Sequence, residues 1–147
     1  MGVNDSLTAV QDQPPSGWRS QVMAYVLRER VLLVEDDANV RGLVSRVLRK
    51  AGFTVMSFCN GADALRECEQ HRGKIDLVLT DYLMPGMRGD ELGRRLTEQR
   101  PGIRVLYMSG CISLVGLGEI PEQMGAVLQK PFSPQELVHR IRAELDR

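Results

Sequence analysis

A set of residues spread along the chain could do chemistry together. Glu35 and Asp36 close the apolar run VLLV, Asp81 closes IDLVLT, and Ser109 closes VLYM. Lys130 closes AVLQ and is followed at once by Pro131. Each sits where a short buried strand would meet a loop. In an open α/β sheet the loops at the carboxyl ends of the strands share one crevice, and ligands bind there. Three carboxylates crowded into such a crevice repel one another, so the site favours a divalent cation and a nearby lysine. That combination suits the transfer of a phosphoryl group onto a carboxylate.

The elements that must position these residues alternate between strand and helix. VLLV reads as a buried strand. From Ala38 to Ala51, the apolar residues Val40, Leu43, Val44, Val47, Leu48 and Ala51 recur at helical spacing, and Gly52 stops the helix. FTVMSF follows as a second strand, residues 61 to 71 as a helix, and IDLVLT as a third strand after a turn at Gly73 and Lys74. Pro85, Gly86 and Gly89 interrupt the pattern in DYLMPGMRG. Asp90 to Arg100 reads as a helix on which Arg94, Arg95 and Arg100 form a solvated face. IRVLYM and AVLQ are the fourth and fifth strands. Ser133, Pro134 and Glu136 spell a capping box with proline in the first turn, and Leu137, Val138, Ile141 and Leu145 supply that helix's buried face. Met56, Met84, Met87, Met108 and Met124 are expected to fill the core or a pocket.

Five strands separated by helices imply a parallel sheet covered on both faces, and right-handed crossovers make it doubly wound. One segment fits badly. Cys111 to Gly125 carries Gly116, Gly118, Pro121 and Gly125, so a helix there should be short, shifted or partly unwound. At the other end, Pro14, Pro15 and Gly17 predict a flexible leader to about residue 20. Val22 to Arg30 either extends the first strand or forms a short helix before it.

Composition excludes several classes of function. The chain has 147 residues, enough for one domain with a real core. Its 19 basic and 19 acidic residues balance, with no basic stripe for nucleic acid. No apolar run approaches the ~20 residues needed to cross a bilayer, and the N-terminus lacks a secretory pattern. Cys59, Cys68 and Cys111 lack CxxC spacing and read as reduced thiols of a cytoplasmic protein. His71 and His139 have no paired ligands near them in sequence, so a zinc site is a poor alternative.

The segments VLLVEDD, LTDYLMPGMRGDEL, VLYMSG and LQKPFSPQEL follow one another in the order and spacing of a known family. From about Arg30 to Arg147, roughly four-fifths of its length, the chain resembles the receiver domains of two-component response regulators. The resemblance implies a flavodoxin-like sheet of strand order 2-1-3-4-5, with residues 29–147 as the receiver and 1–28 as a leader. It also implies that Asp81 is the phosphoacceptor. Asp36 would bind magnesium directly, Glu35 commonly through water, and Leu83 through its backbone carbonyl. Ser109 and Lys130 would contact the phosphoryl group, and the bond before Pro131 would be cis. Asp37, one place beyond the metal pair, is read as a helix N-cap. The implied partner is a histidine kinase or histidine phosphotransfer protein, with an unnamed protein target, no nucleic acid and no membrane. Catalysis would be limited to magnesium-dependent self-phosphorylation and self-dephosphorylation.

Two features depart from the family. Three residues before the lysine many receivers carry a tyrosine or phenylalanine that rotates inward on activation; here the position is Val127. The glycine-rich Cys111–Gly125 segment is the other, and it resembles receivers attached to hybrid kinases. Activation is therefore expected to reorder that segment. Three rival readings are weaker. A phosphatase of the haloacid dehalogenase type needs a second aspartate two residues after the nucleophile, where this chain has Leu83. A degenerate receiver would lack Asp81 or Lys130. A DNA-binding regulator needs a helix-turn-helix module, and the chain is expected to end with the last receiver helix.

Overall fold

Four consecutive apolar residues that bury every side chain belong in the middle of a sheet covered on both faces. Val31, Leu32, Leu33 and Val34 of strand β1 (Arg30–Val34) do so, each with no exposed surface. The computed structural model describes residues 16–26, 28–110 and 126–147. Around β1 it arranges β2 (Thr54–Phe58), β3 (Leu77–Asp81), β4 (Arg104–Ser109) and β5 (Ala126–Gln129) in one parallel sheet of order β2-β1-β3-β4-β5. This is the expected strand order, and it places β1 and β3, which lead to the acids, side by side at the centre.

The helices are α1 (Trp18–Val26), α2 (Ala38–Lys50), α3 (Gly61–Gln70), α4 (Gly89–Gln99) and α5 (Pro134–Leu145). Helices α2 and α5 cover one face, packing Val44, Leu48, Leu137 and Ile141 on Leu33, Leu79, Leu106 and Met108. Helices α3 and α4 cover the other, packing Ala64, Leu65, Leu92 and Leu96 on Leu32, Val34 and Val78. Adjacent residues of one strand thus enter different cores, as the two-residue period of a strand requires.

Local chemistry sets the helix ends. The Asp37 carboxylate accepts hydrogen bonds from the Asn39 and Val40 amides at 2.8 and 3.1 Å, so it caps α2 as expected. Gly52 takes a φ of +100° just past that helix, a conformation in which a Cβ is strained. Ser133 and Glu136 make the reciprocal capping box at the start of α5.

Several expectations change. A helix beginning at Trp18 replaces the irregular chain expected at residues 18–20, while the expected leader up to residue 15 lies outside the described residues, and the helix settles the alternatives for Val22 to Arg30 as a helix followed by a strand. Leu43 is not part of the α2 core face but is 56% exposed, because Val40, Val44, Val47 and Leu48 point that stripe at the sheet and residue 43 lies about 100° behind Val44. Arg100 does not belong to the solvated face of α4. Its guanidinium turns back and donates to the carbonyls of Gly73 and Cys68, both at 2.8 Å, and of His71. Arg94 and Arg95 do stay on the exposed face, paired with Glu98 and Glu91. The expectations for Cys111–Gly125 and Met124 lie outside the described residues.

Candidate functional site

All five strands run in the same direction, so their carboxyl ends form one rim. Backbone hydrogen bonds lace that rim together: Glu35 N donates to Phe58 O at 3.1 Å, Tyr82 N to Met108 O at 2.9 Å and Lys130 N to Ser109 O at 2.8 Å. The residues singled out from the sequence therefore meet. Glu35 is 1% exposed, Ser109 is buried, Asp81 is half-buried and Asp36 is open to solvent. One carboxylate oxygen from each of Glu35, Asp36 and Asp81 lies within 4.8 Å of the others. Lys130 reaches in from the far side of the rim, with Nζ 2.8 Å from Glu35 Oε2 and 3.4 Å from Asp81 Oδ2. The Lys130–Pro131 peptide bond is cis.

Charge explains how the pocket holds. Burial pushes the Glu35 carboxyl up, the Lys130 ammonium and the Asp37 amide pull it down, and the neighbouring charge of Asp81 pushes it up again; the net direction is up. Burial pulls Lys130 down, but its hydrogen bond to Glu35 and the charge of Asp81 outweigh this and raise it. Taken as a simple pair, the two partners disagree, since pairing alone would lower Glu35. The Lys130 direction is the firmer guide to the pocket: one ammonium faces several carboxylates, and that negative surrounding favours the protonated form of the lysine. A hard divalent cation removes that excess. The donor set suits one, being three carboxylates without sulfur or imidazole.

The loop after Asp81 is shaped by close backbone packing. Gly89 N donates to Tyr82 O at 2.9 Å, and a Cβ on Gly89 would sit 2.2 Å from Asp81 O. Only glycine lets α4 start so near Asp81. Gly86 supplies a φ of +81° within the same loop. The Leu83 side chain is 46% exposed. Arg41 donates to Glu35 O at 2.8 Å and braces the β1 end from α2.

Sequence reasoning missed an aromatic pair on this rim. The rings of Tyr82 and Tyr107 meet edge to face, with centroids 6.0 Å apart. Burial, with the charges of Asp90 and Tyr82 adding to it, pushes the Tyr107 phenol up to about 12. The available signal was the position of Tyr107 two residues before Ser109, hence on the same face of the strand.

A doubly wound sheet that gathers acids from two strands under a lysine from a third is the architecture of a phosphoacceptor signalling domain. The sequence profile of the response regulator receiver domain matches residues 31–142, and the chain belongs to that family. It is 37% identical over 119 residues to the response regulator receiver protein CpdR of Brucella abortus (strain 2308), covering 80% of this chain and 97% of CpdR. It is 34% identical over 118 residues to the sensor kinase CckA of the same organism; the match covers 80% of this chain but only 12% of the kinase. The crystal structure of the receiver domain of the hybrid histidine kinase CckA superposes with a TM-score of 0.67 at 31% identity, covering 79% of this chain and 98% of that one. The protein is thus a receiver domain of two-component signalling. Among the described residues, no helix is long and apolar enough to cross a membrane.

Proposed function

We propose that this receiver takes a phosphoryl group on Asp81 from a phosphohistidine of a histidine kinase or histidine phosphotransfer protein. The observation that carries this reading is Lys130 Nζ standing between Glu35 and Asp81, 2.8 and 3.4 Å away, beside a cluster of three carboxylates. A carboxylate oxygen of Asp81 attacks phosphorus, a P–O bond forms, the P–N bond breaks and its electron pair leaves on the imidazole. Lys130 and the Ser109 hydroxyl would then bind the new phosphoryl oxygens. Little covalent help is needed; positioning and neutralisation of charge do most of the work. Glu35, Asp36, Asp81 and the Leu83 carbonyl would hold magnesium, which when bound supplies charge neutralisation at the phosphoryl oxygens.

In this reading the receiver spans residues 29–147, residues 1–28 precede it as a separate leader that includes α1, and the protein works in the cytoplasm. Its own chemistry is limited to magnesium-dependent self-phosphorylation and self-dephosphorylation, and it acts by changing a protein-binding surface. Phosphorylation adds about two negative charges and three strong acceptor oxygens, enough to shift an equilibrium between two conformations. The test is intact-protein mass spectrometry after incubation with acetyl phosphate and magnesium. Wild type should gain one phosphoryl group and Asp81→Asn none; labelling of Asp81→Asn at the wild-type rate would overturn the assignment.

A further inference from the structure

The three carboxylates of the rim are not held alike. Glu35 is gripped through its side chain: Lys130 Nζ stands 2.8 Å from Oε2, and the Asp37 amide donates to Oε1 at 3.2 Å. Asp81 also faces Lys130, at 3.4 Å. Asp36 has no such hold. Its carboxylate is exposed and makes no hydrogen bond or ion pair with the described residues. Its direction is therefore set by its backbone, and Arg41 grips that backbone. Arg41 Nη1 donates to Glu35 O at 2.8 Å and lies 3.5 Å from Asp36 O, the outer limit of a hydrogen bond. The Arg41 amide donates to Asp37 O at 2.9 Å in the first turn of α2. One residue thus ties both sides of the acid pair to a helix. The β2 strand holds the same stretch from its other side, where Glu35 N donates to Phe58 O at 3.1 Å. Both guanidinium contacts are with carbonyl oxygens, and no carboxylate among the described residues pairs with Arg41. The groove of about 480 Å³ beside it is lined by Ser45, Arg46, Arg49 and Ser57, with no acid to compete for it.

We propose that Arg41 is a positioning residue for the metal: by fixing the peptide between Glu35 and Asp36 it aims the Asp36 carboxylate into the cluster, and so sets how tightly magnesium binds. The inference rests on the reading of Glu35, Asp36 and Asp81 as the magnesium ligands. Charge and orientation oppose each other here. A guanidinium beside three carboxylates repels an incoming cation, so charge alone makes Arg41 weaken the binding. Orientation does the reverse, because a ligand already aimed need not be ordered by the ion, and the partners behind a metal's ligands commonly set its affinity. Orientation wins on geometry. The guanidinium is engaged by carbonyl oxygens and is screened by solvent on its groove side, while the peptide it holds is joined directly to Asp36.

The experiment measures magnesium dissociation constants on the full chain, by titration followed through amide chemical shifts, for wild type, Arg41→Met, Arg41→Lys and Arg100→Ala. Arg41→Met removes donor and charge together, and its affinity should fall by about threefold to tenfold. Arg41→Lys restores a donor and should bind within about twofold of wild type. Arg100 also holds carbonyl oxygens, but in the loop before β3, at the opposite end of the sheet. Arg100→Ala should therefore keep the wild-type affinity, which separates an effect at the metal from a weaker fold. Unchanged or tighter binding in Arg41→Met overturns the proposal and leaves the ligand set standing. Equal weakening in Arg41→Lys or in Arg100→Ala does the same. If wild type binds no magnesium, the proposal and the ligand set fail together. Should Arg41→Met not fold, Arg41→Gln, which drops the charge and keeps a donor, decides: affinity no tighter than wild type supports the brace, and tighter binding overturns it.

Discussion

Lys130 Nζ lies 2.8 Å from Glu35 Oε2 although the two are 95 positions apart in sequence, joining the end of the sheet's edge strand to the end of a central one. Glu35 is almost fully buried and Lys130 is its cationic partner, so removing the lysine strands a carboxylate in the rim. Lys130→Ala is expected to cost about 1–3 kcal/mol at neutral pH. The cost should shrink in acid. The folded pKa of Glu35 is raised above its ordinary 4.5, so its favourable contribution is present below that value and is lost as pH rises through the folded value. Without Lys130 the folded value climbs further and the window widens. Urea unfolding of both proteins at pH 7.5 and pH 5 should show the gap between them narrowing at pH 5; a constant gap would refute this account of the pair.

Asp36 and Asp37 are neighbours with different work. Asp36 is exposed and lies in the carboxylate cluster, while both close contacts of the Asp37 carboxylate go to amides of α2. Asp36→Asn relieves repulsion, so its melting temperature in chelator should equal or slightly exceed wild type, and the stabilisation wild type gains from magnesium should largely vanish. Asp37→Ala should lose about 1 kcal/mol through the lost cap while still responding to magnesium. Thermal melts with and without the metal separate the two, and equal loss of the magnesium response would mean the metal ligands are misassigned.

Gly89→Ala should damage the loop after Asp81. The new methyl would stand 2.2 Å from Asp81 O and 2.9 Å from Tyr82 Cα, both backbone atoms that cannot yield without moving Asp81. A destabilisation of about 1–3 kcal/mol is expected, as for other overpacked sites. Phosphorylation by acetyl phosphate should slow at least tenfold. Wild-type kinetics in a folded variant would show that the loop tolerates displacement.

Arg100 ties the end of α4 to the loop that follows α3 through three carbonyls. Arg100→Ala leaves those carbonyls without their charged donor and should cost about 2–3 kcal/mol. Arg94→Ala, on the exposed face with a solvent-screened partner, should cost less than about 0.5 kcal/mol. Chemical denaturation of the two variants tests the contrast; similar losses would contradict it.

Leu43 is an exposed apolar side chain on α2, the helix whose first turn follows directly on the acid pair. A protein that delivers a phosphoryl group to Asp81 must cover nearby surface, and a leucine there is suited to contact. Leu43→Glu should slow transfer from a cognate phosphohistidine protein at least tenfold and leave labelling by acetyl phosphate unchanged. Radiolabel transfer assays with both donors check this, and equal rates from the protein donor would remove Leu43 from the docking face.

The sequence by itself determined the alternation of elements, the helix caps at Asp37 and Ser133, and the meeting of Glu35, Asp36, Asp81, Ser109 and Lys130. These follow from short-range signals and one topological rule: apolar runs and periodicity mark the strands and helices, and parallel strands bring all their carboxyl ends to one rim. The tertiary structure decided what no local pattern encodes. Arg94 within α4 and Arg100 just past its end carry the same side chain, yet one is solvated and the other binds three carbonyls, because only the second faces the loop after α3. Leu43 met the helical spacing and still lies in solvent, since the sheet chose a stripe narrower than the apolar pattern allowed. The contact of Tyr107 with the bare Cα side of Gly93 joins a strand to a helix, so its closeness depends on how tightly the two layers pack and is invisible until they do.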